Sequence, residues 1–183
     1  MQTNNRKIVK IVLLALFCAL AAVGANIKIQ GSIAFDSCPA YLAAMLIGGP
    51  EGAIAGAIGH LFSAMLAGFP LTLPMHLVIA VEMALICFIV GVLVKKAKCP
   101  IWLAAIVGFL LNAFISPGIL IIWPGFGLAA FYAYLLPLGL ASAANVAVAT
   151  MLAYALKKPY AMIFGEDIKK PKAAHVSSDG DIS

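Results

Sequence analysis

Charge is what this sequence has least of. Only 10% of its 183 residues are Asp, Glu, Lys or Arg, against 64% that are hydrophobic. A soluble domain of this length cannot bury that much apolar surface, so the soluble classes are excluded and the chain reads as an integral membrane protein. Histidine is scarce, with three in the chain, and His60 and His76 do not stand in the i, i+4 spacing of a helical metal pair. The four cysteines, Cys18, Cys38, Cys87 and Cys99, form no C-x-x-C and read as small packing residues rather than disulfides or metal ligands. G-x-S-x-G, H-E-x-x-H, a Walker A lysine loop and an acidic metal cluster are all missing, which argues against an enzyme. With no ATP-binding module and no cofactor expected in this chain, any energy for transport has to come from ions or from a partner.

The charges that are present are informative by position. The formal net charge is +5, which by itself would suit nucleic acid, but the basic residues gather at the ends of apolar runs. Arg6, Lys7 and Lys10 form one cluster, Lys95, Lys96 and Lys98 a second, and Lys157, Lys158, Lys169, Lys170 and Lys172 a third; only Lys28 stands apart. That is the pattern of cytoplasmic loop ends under the positive-inside rule. Six spans with both termini cytoplasmic put every basic residue but Lys28 on one side, whereas five would strand a cluster outside. The expected fold is therefore an all-α bundle of six transmembrane helices over residues 1–158, followed by a polar, disordered cytoplasmic tail over 159–183.

Apolar runs extend from Ile8 to about Val23, Ala40 to Ile47, Ala53 to Leu66, Met75 to Val94, Ile101 to Ser116 and Pro137 to Leu156. The second and third are short for a span of ~20 residues. The first, with its basic start, also has the form of a signal peptide, but the remaining runs are membrane-spanning and need no export signal. In it Ala15 and Ala19 are four apart, as are Ala21 and Ala25, a spacing that lets another helix approach closely, either within the molecule or from a partner. Proline and glycine break the pattern at GFPLTLPMH and SPG. The stretch from Ile119 to Leu136 admits two paths: an extension of the fifth helix with a turn at Trp123-Pro124-Gly125, or an interfacial segment carrying Trp123, Tyr132 and Tyr134.

Between the first two runs lies the polar island NIKIQGSIAFDSCP, Asn26 to Pro39. Its Lys28, Gln30, Ser32, Asp36 and Ser37 need water, a headgroup surface or a cavity, and we expect this loop, from Asn26 on, to lid a solute-binding cavity. His60, Glu82, Asn112 and Asn145 fall near the middle of four different runs; at ~1.5 Å per residue Glu82 lies roughly 12 Å below the outer end. Polar groups at such depth are costly in lipid and point to a shared cavity. Interhelical bonding between the two asparagines, a core histidine, and a capping role for Asp36 are the structural alternatives. The candidate substrate-binding set is Phe35, Asp36, His60, His76, Glu82, Asn112, Trp123 and Asn145. No Lys or Arg lies at mid-depth, so the expected solute is neutral or weakly basic, flat and hydroxyl-bearing, held by stacking and hydrogen bonds. A stand-alone carrier with Glu82 as its proton site is the alternative mechanism.

The run NIKIQGSIAFDSCPAYLAAMLIGGPEGAIAGAIGHLFSAMLAGFPLTLPMH, with the short spans, basic start, Ala15/Ala19 pair and the Gly49, Pro50, Gly52, Ala53 turn, resembles the substrate-binding (S) component of energy-coupling factor (ECF) vitamin transporters. Within that family it is most similar to the type associated with α-ribazole, a cobalamin precursor. The resemblance implies capture of a nucleoside or other flat vitamin, such as riboflavin or cobalamin, at the plasma membrane of a prokaryote. It further implies docking to a transmembrane coupling subunit and two ATPase subunits that use ATP. On that likeness Ala15 and Ala19 map to the docking face, and the loops 26–38 and 68–74, the latter with Phe69 and Pro70, gate the pocket. Cys38 and Glu51 depart from the family pattern.

Overall fold

The computed structural model describes residues 2–164, with side chains from residue 5 onward. Of the tail expected over 159–183, residues 165–183 lie outside the described residues. The chain forms α1 (Gln2–Gly24), a hairpin of β1 (Lys28–Gln30) and β2 (Ile33–Ala34), then α2 (Ser37–Leu46), α3 (Gly49–Leu66) and α4 (Leu73–Lys95). After Pro100 come α5 (Ile101–Leu110), a π-helical stretch (Leu111–Ile115), α6 (Ser116–Ile122) and finally α7 (Leu128–Phe164). Among the described residues, four segments are long and apolar enough to cross a membrane: Asn5–Gly24, Leu73–Lys95, Ile101–Ile122 and Leu128–Phe164.

Without water between helices, association in lipid rests on close van der Waals approach, which small residues permit. The α3–α4 pair is the most extensive in the molecule. A Cβ on Gly56 would come within 2.9 Å of the Met83 carbonyl oxygen, and one on Gly91 within 2.5 Å of Gly49 Cα. Ala21 of α1 and Ala25, just beyond its end, are fully buried. By contrast Ala15 and Ala19 are exposed, on a face of α1 that also shows Ile8, Ile11, Val12, Leu16 and Val23 to the outside. The Ala21/Ala25 pair therefore packs inward while the Ala15/Ala19 pair faces outward.

At 10 residues, α2 is ~15 Å long, half of a ~30 Å hydrocarbon layer. It is the core of the bundle, with every residue from Cys38 to Leu46 buried. Pro50 starts α3 rather than merely ending α2: it occupies the first turn, where its missing N–H costs nothing, with Glu51 beside it.

The prolines further on act differently from the breaks expected of them. Pro117 does not interrupt the fifth rod, because the π-helical stretch 111–115 precedes it and widens the turn where a proline ring would strike the carbonyl four residues back. The chain then turns at 123–127, with Gly127 N–H bonded to the Leu120 carbonyl at 3.0 Å, so of the two paths for 119–136 the helix extension with a turn is the one present. The last helix starts nine residues before the expected Pro137 and carries both Pro137 and Pro159 inside it. The boundary at 158 thus falls within α7: Tyr160, Ala161 and Phe164 are buried, and Tyr160 stacks on Phe164 at 4.4 Å. Lys95 lies over Tyr160 at 4.9 Å and Lys10 over Phe164 at 6.0 Å, which brings the basic ends of α1, α4 and α7 to one end of the bundle.

Candidate functional site

The cavity lies toward the other end. The hairpin was not anticipated as a hairpin, although Ile27, Ile29 and the Gly31-Ser32 pair carry the alternation and turn chemistry that mark one. Lys28 pairs with Ala34 and Gln30 with Ile33, and Phe35 N–H donates to the Ile27 carbonyl at 3.0 Å. Side-chain bonds then tie this flap to the bundle. Ser63 Oγ donates to the Ser32 carbonyl at 2.8 Å, and Lys28 Nζ to the Ser63 carbonyl at 3.3 Å. Asn26 folds back on α1 through the Ala22 and Val23 carbonyls, and Gln30 is exposed.

Beneath the flap is a partly enclosed cavity of about 60 Å³, smaller than the ~300–1,000 Å³ of sites that hold a drug-sized molecule. The roof is Ser32, Ile33, Ala34 and Asp36; α3 supplies His60, and Leu71 comes from the following turn. Ile79 and Met83 face it from α4. Asn112, Ser116 and Pro117 form the wall contributed by the π-helical stretch and α6. The first half of α7 adds Tyr134, Ser142 and Asn145. No lysine or arginine lines it among the described residues.

Of the eight candidate substrate-binding residues, Asp36, His60, Asn112 and Asn145 meet on this cavity. Asn145 is already committed to the protein. Its Oδ1 accepts from Cys38 N–H at 2.7 Å, and its Nδ2 donates to the Ala34 carbonyl at 3.0 Å and the Ala141 carbonyl at 2.9 Å. It therefore closes the roof and satisfies an amide in the first turn of α2 that has no intrahelical partner. Asp36 stands at the N-cap position of that helix yet makes no side-chain capping bond. The residue lines the cavity roof, and its carboxyl is buried. Burial pushes that carboxyl up to about 6, against the opposing pull of its own and the Ser37 backbone amide, the Ser37 side chain and the Lys28 charge.

The asparagines are not bonded to each other: Asn112 Oδ1 accepts from Ser116 Oγ at 3.1 Å. Glu82, on α4, is buried but lies outside the cavity lining. Both its carboxylate oxygens are buried without a hydrogen-bond partner among the described residues, with Ser116 its polar neighbour. His76 is fully buried behind His60. Phe35 packs half-buried on the main core, and Trp123 on the Leu71–Met75–Leu120 cluster, so neither ring lines the space. Sequence reasoning missed Tyr134 and Ser142, and no periodic signal distinguished them from their neighbours on a long apolar helix. Phe69 and Pro70 lie in the turn 67–72, where Phe69 and Thr72 adopt positive φ of 53° and 75°.

No curated protein and no solved structure matches the chain. Residues 9–157 match the family described as ECF transporter, substrate-specific component. A match over most of the chain, on apolar helices that enclose a cavity without catalytic apparatus, makes this protein a member of that family: the substrate-binding subunit of an ECF importer, not an enzyme.

Proposed function

We propose that the roofed cavity captures α-ribazole, or failing that another flat aromatic vitamin, from outside the cell. The observation that carries this reading is the lining: carboxyl, imidazole, amide and hydroxyl groups with one aromatic ring, Tyr134, and no cation. A phosphorylated solute would find no arginine or lysine clamp there. A nucleoside with an uncharged base finds a ring to stack on and several hydroxyl partners. Because Phe35 and Trp123 lie outside the lining, Tyr134 is the stacking group in this account.

The same reading places all six helical rods across the plasma membrane of a prokaryote. In it α2 reaches the outer side with the help of the hairpin that continues it. The basic ends of α1, α4 and α7 face the cytoplasm, and the flap and the 67–72 turn gate the cavity from outside. The exposed Ala15/Ala19 face of α1 docks on the transmembrane coupling subunit, whose two ATPase partners hydrolyse the ATP.

The test is a thermal-stability screen of the purified chain, without ATP, across nucleosides and vitamins. A ligand at 100 times its dissociation constant adds ~2.7 kcal/mol of stability, and α-ribazole is expected to do so. A shift with riboflavin or a cobalamin but none with α-ribazole would sink the substrate assignment. Solute accumulation by proteoliposomes holding this chain alone, driven by an ion gradient, would favour a stand-alone carrier instead.

A further inference from the structure

Two histidines on different helices meet at the cavity wall. His60 Nε2 and His76 Nδ1 are 3.1 Å apart, and the Leu71 backbone N–H points at His76 Nε2 from 3.3 Å. An amide N–H only donates, so His76 Nε2 must accept and carries no proton. A neutral imidazole then holds its single proton on the other nitrogen, Nδ1, which faces His60. His60 Nε2 is therefore also an acceptor, and the His60 proton sits on Nδ1. The alternative direction, with His60 donating, would leave His76 with no proton at all. One backbone amide thus sets the tautomer of two rings in series.

His60 is a wall residue of the cavity. Its Nδ1 has no partner among the described residues and is not among the polar atoms sealed from solvent. The amide at the head of the series is itself held firmly. Leu71 lies two residues after Phe69, whose left-handed backbone and edge-on contact with the His76 ring at 5.7 Å fix the turn against α4. A non-glycine residue keeps such a backbone only where its surroundings over-determine it.

We propose that His76 is a positioning residue which, oriented by Leu71 N–H, fixes His60 as a neutral donor presenting Nδ1–H to the cavity, so that the bound solute places a hydrogen-bond acceptor there. This rests on the reading that the cavity takes a solute, and it narrows the chemistry of that solute. An unprotonated ring nitrogen or a carbonyl or hydroxyl oxygen satisfies the donor; an N–H or an ammonium group in that position is rejected. It also gives the 67–72 turn a direct line to the ligand: displacement of Leu71 releases His76, and with it the donor.

The experiment is long-range ¹H–¹⁵N NMR on histidine-labelled protein in nanodiscs, which reads the tautomer of each ring with no ligand present. Both rings are expected in the Nδ1–H form. His76→Gln, whose amide can accept from Leu71 and donate to His60, is expected to keep His60 in that form and to retain α-ribazole binding. His76→Leu is expected to free His60 to adopt Nε2–H and to weaken α-ribazole binding by about tenfold or more. Finding Nε2–H on His60 in the wild-type protein overturns the relay, whether or not α-ribazole binds. Equal tautomer and equal affinity in His76→Leu overturns it as well. Because the wild-type spectrum needs neither a variant nor a solute, failure of the relay is distinguishable from failure of the substrate assignment.

Discussion

Replacing Asn145 removes the bonds that join the roof to the bundle. Its side chain uses its full donor capacity and its oxygen in three contacts, to Cys38 N–H, the Ala34 carbonyl and the Ala141 carbonyl. In Asn145→Leu the number and branching of side-chain heavy atoms are kept but all three bonds are lost. The Cys38 amide, in the first turn of α2, is left buried without an acceptor, at a cost of ~1–3 kcal/mol, and each remaining bond adds ~0.5–1.5 kcal/mol. The sum is roughly 2–6 kcal/mol. At about 2–4 °C per kcal/mol for a chain of this size, the melting temperature should drop by at least about 4 °C. The loss should also be local. Hydrogen exchange followed by mass spectrometry should show faster exchange over residues 28–38, with the α3–α4 pair unchanged. Solute should leave faster, because the flap opens more often. Were Asn145→Leu to melt with the wild type and protect residues 28–38 equally, the claim that Asn145 closes the roof would be wrong.

Other consequences follow from the same geometry. The Asp36 carboxyl, raised from 3.8 to about 6 by burial, contributes stability that is complete below the lower value and lost as pH rises through the higher one, ~3 kcal/mol in all. Melting temperatures of the wild type should fall between about pH 4 and about pH 6, and Asp36→Asn should flatten that step; a step of equal size in both proteins would exclude Asp36 as its source. Gly108→Ala would put a Cβ 2.8 Å from Val90 Cγ2 and 2.9 Å from Tyr41 Cε1, while Tyr41 Oη already donates to the Gly108 carbonyl at 3.2 Å. Overpacking of this kind costs ~1–3 kcal/mol, whereas Gly139→Ala, with nothing within 4 Å of its Cβ, should be silent; equal melting temperatures would contradict the packing described. Ala15→Trp and Ala19→Trp, on the exposed face of α1, should leave solute binding by the isolated subunit intact and abolish uptake by the assembled importer, a split that a folding defect would not give.

The membrane class and the order of helices were legible because apolar runs and basic ends are read one stretch at a time. The prolines misled for a physical reason. Whether Pro117 or Pro137 breaks a helix depends on what surrounds the freed carbonyl, and in a bundle the π-helical stretch at 111–115 and neighbouring helices resolve what water would otherwise have to. The polar residues at mid-depth were visible as anomalies, and three of the four, His60, Asn112 and Asn145, do share a cavity. Their roles were not visible. Asn145 is a strut because the hairpin and the start of α2 fold over it from more than one hundred residues away. Glu82 falls outside the lining, since a count along a helix sets height in the bundle but not the direction of a side chain. The His60–His76 contact links positions 16 apart on two helices, and no helical or strand period connects them.

The central claim is that the space beneath the hairpin receives an uncharged aromatic solute. It is tested most directly by calorimetric titration of the purified chain with α-ribazole in the absence of ATP, beside Ser142→Phe, in which a ring fills the cavity from α7. The account predicts saturation at one solute per chain for the wild type and none for Ser142→Phe at an unchanged fold. Saturable binding of equal strength in both proteins would place the solute elsewhere and contradict it.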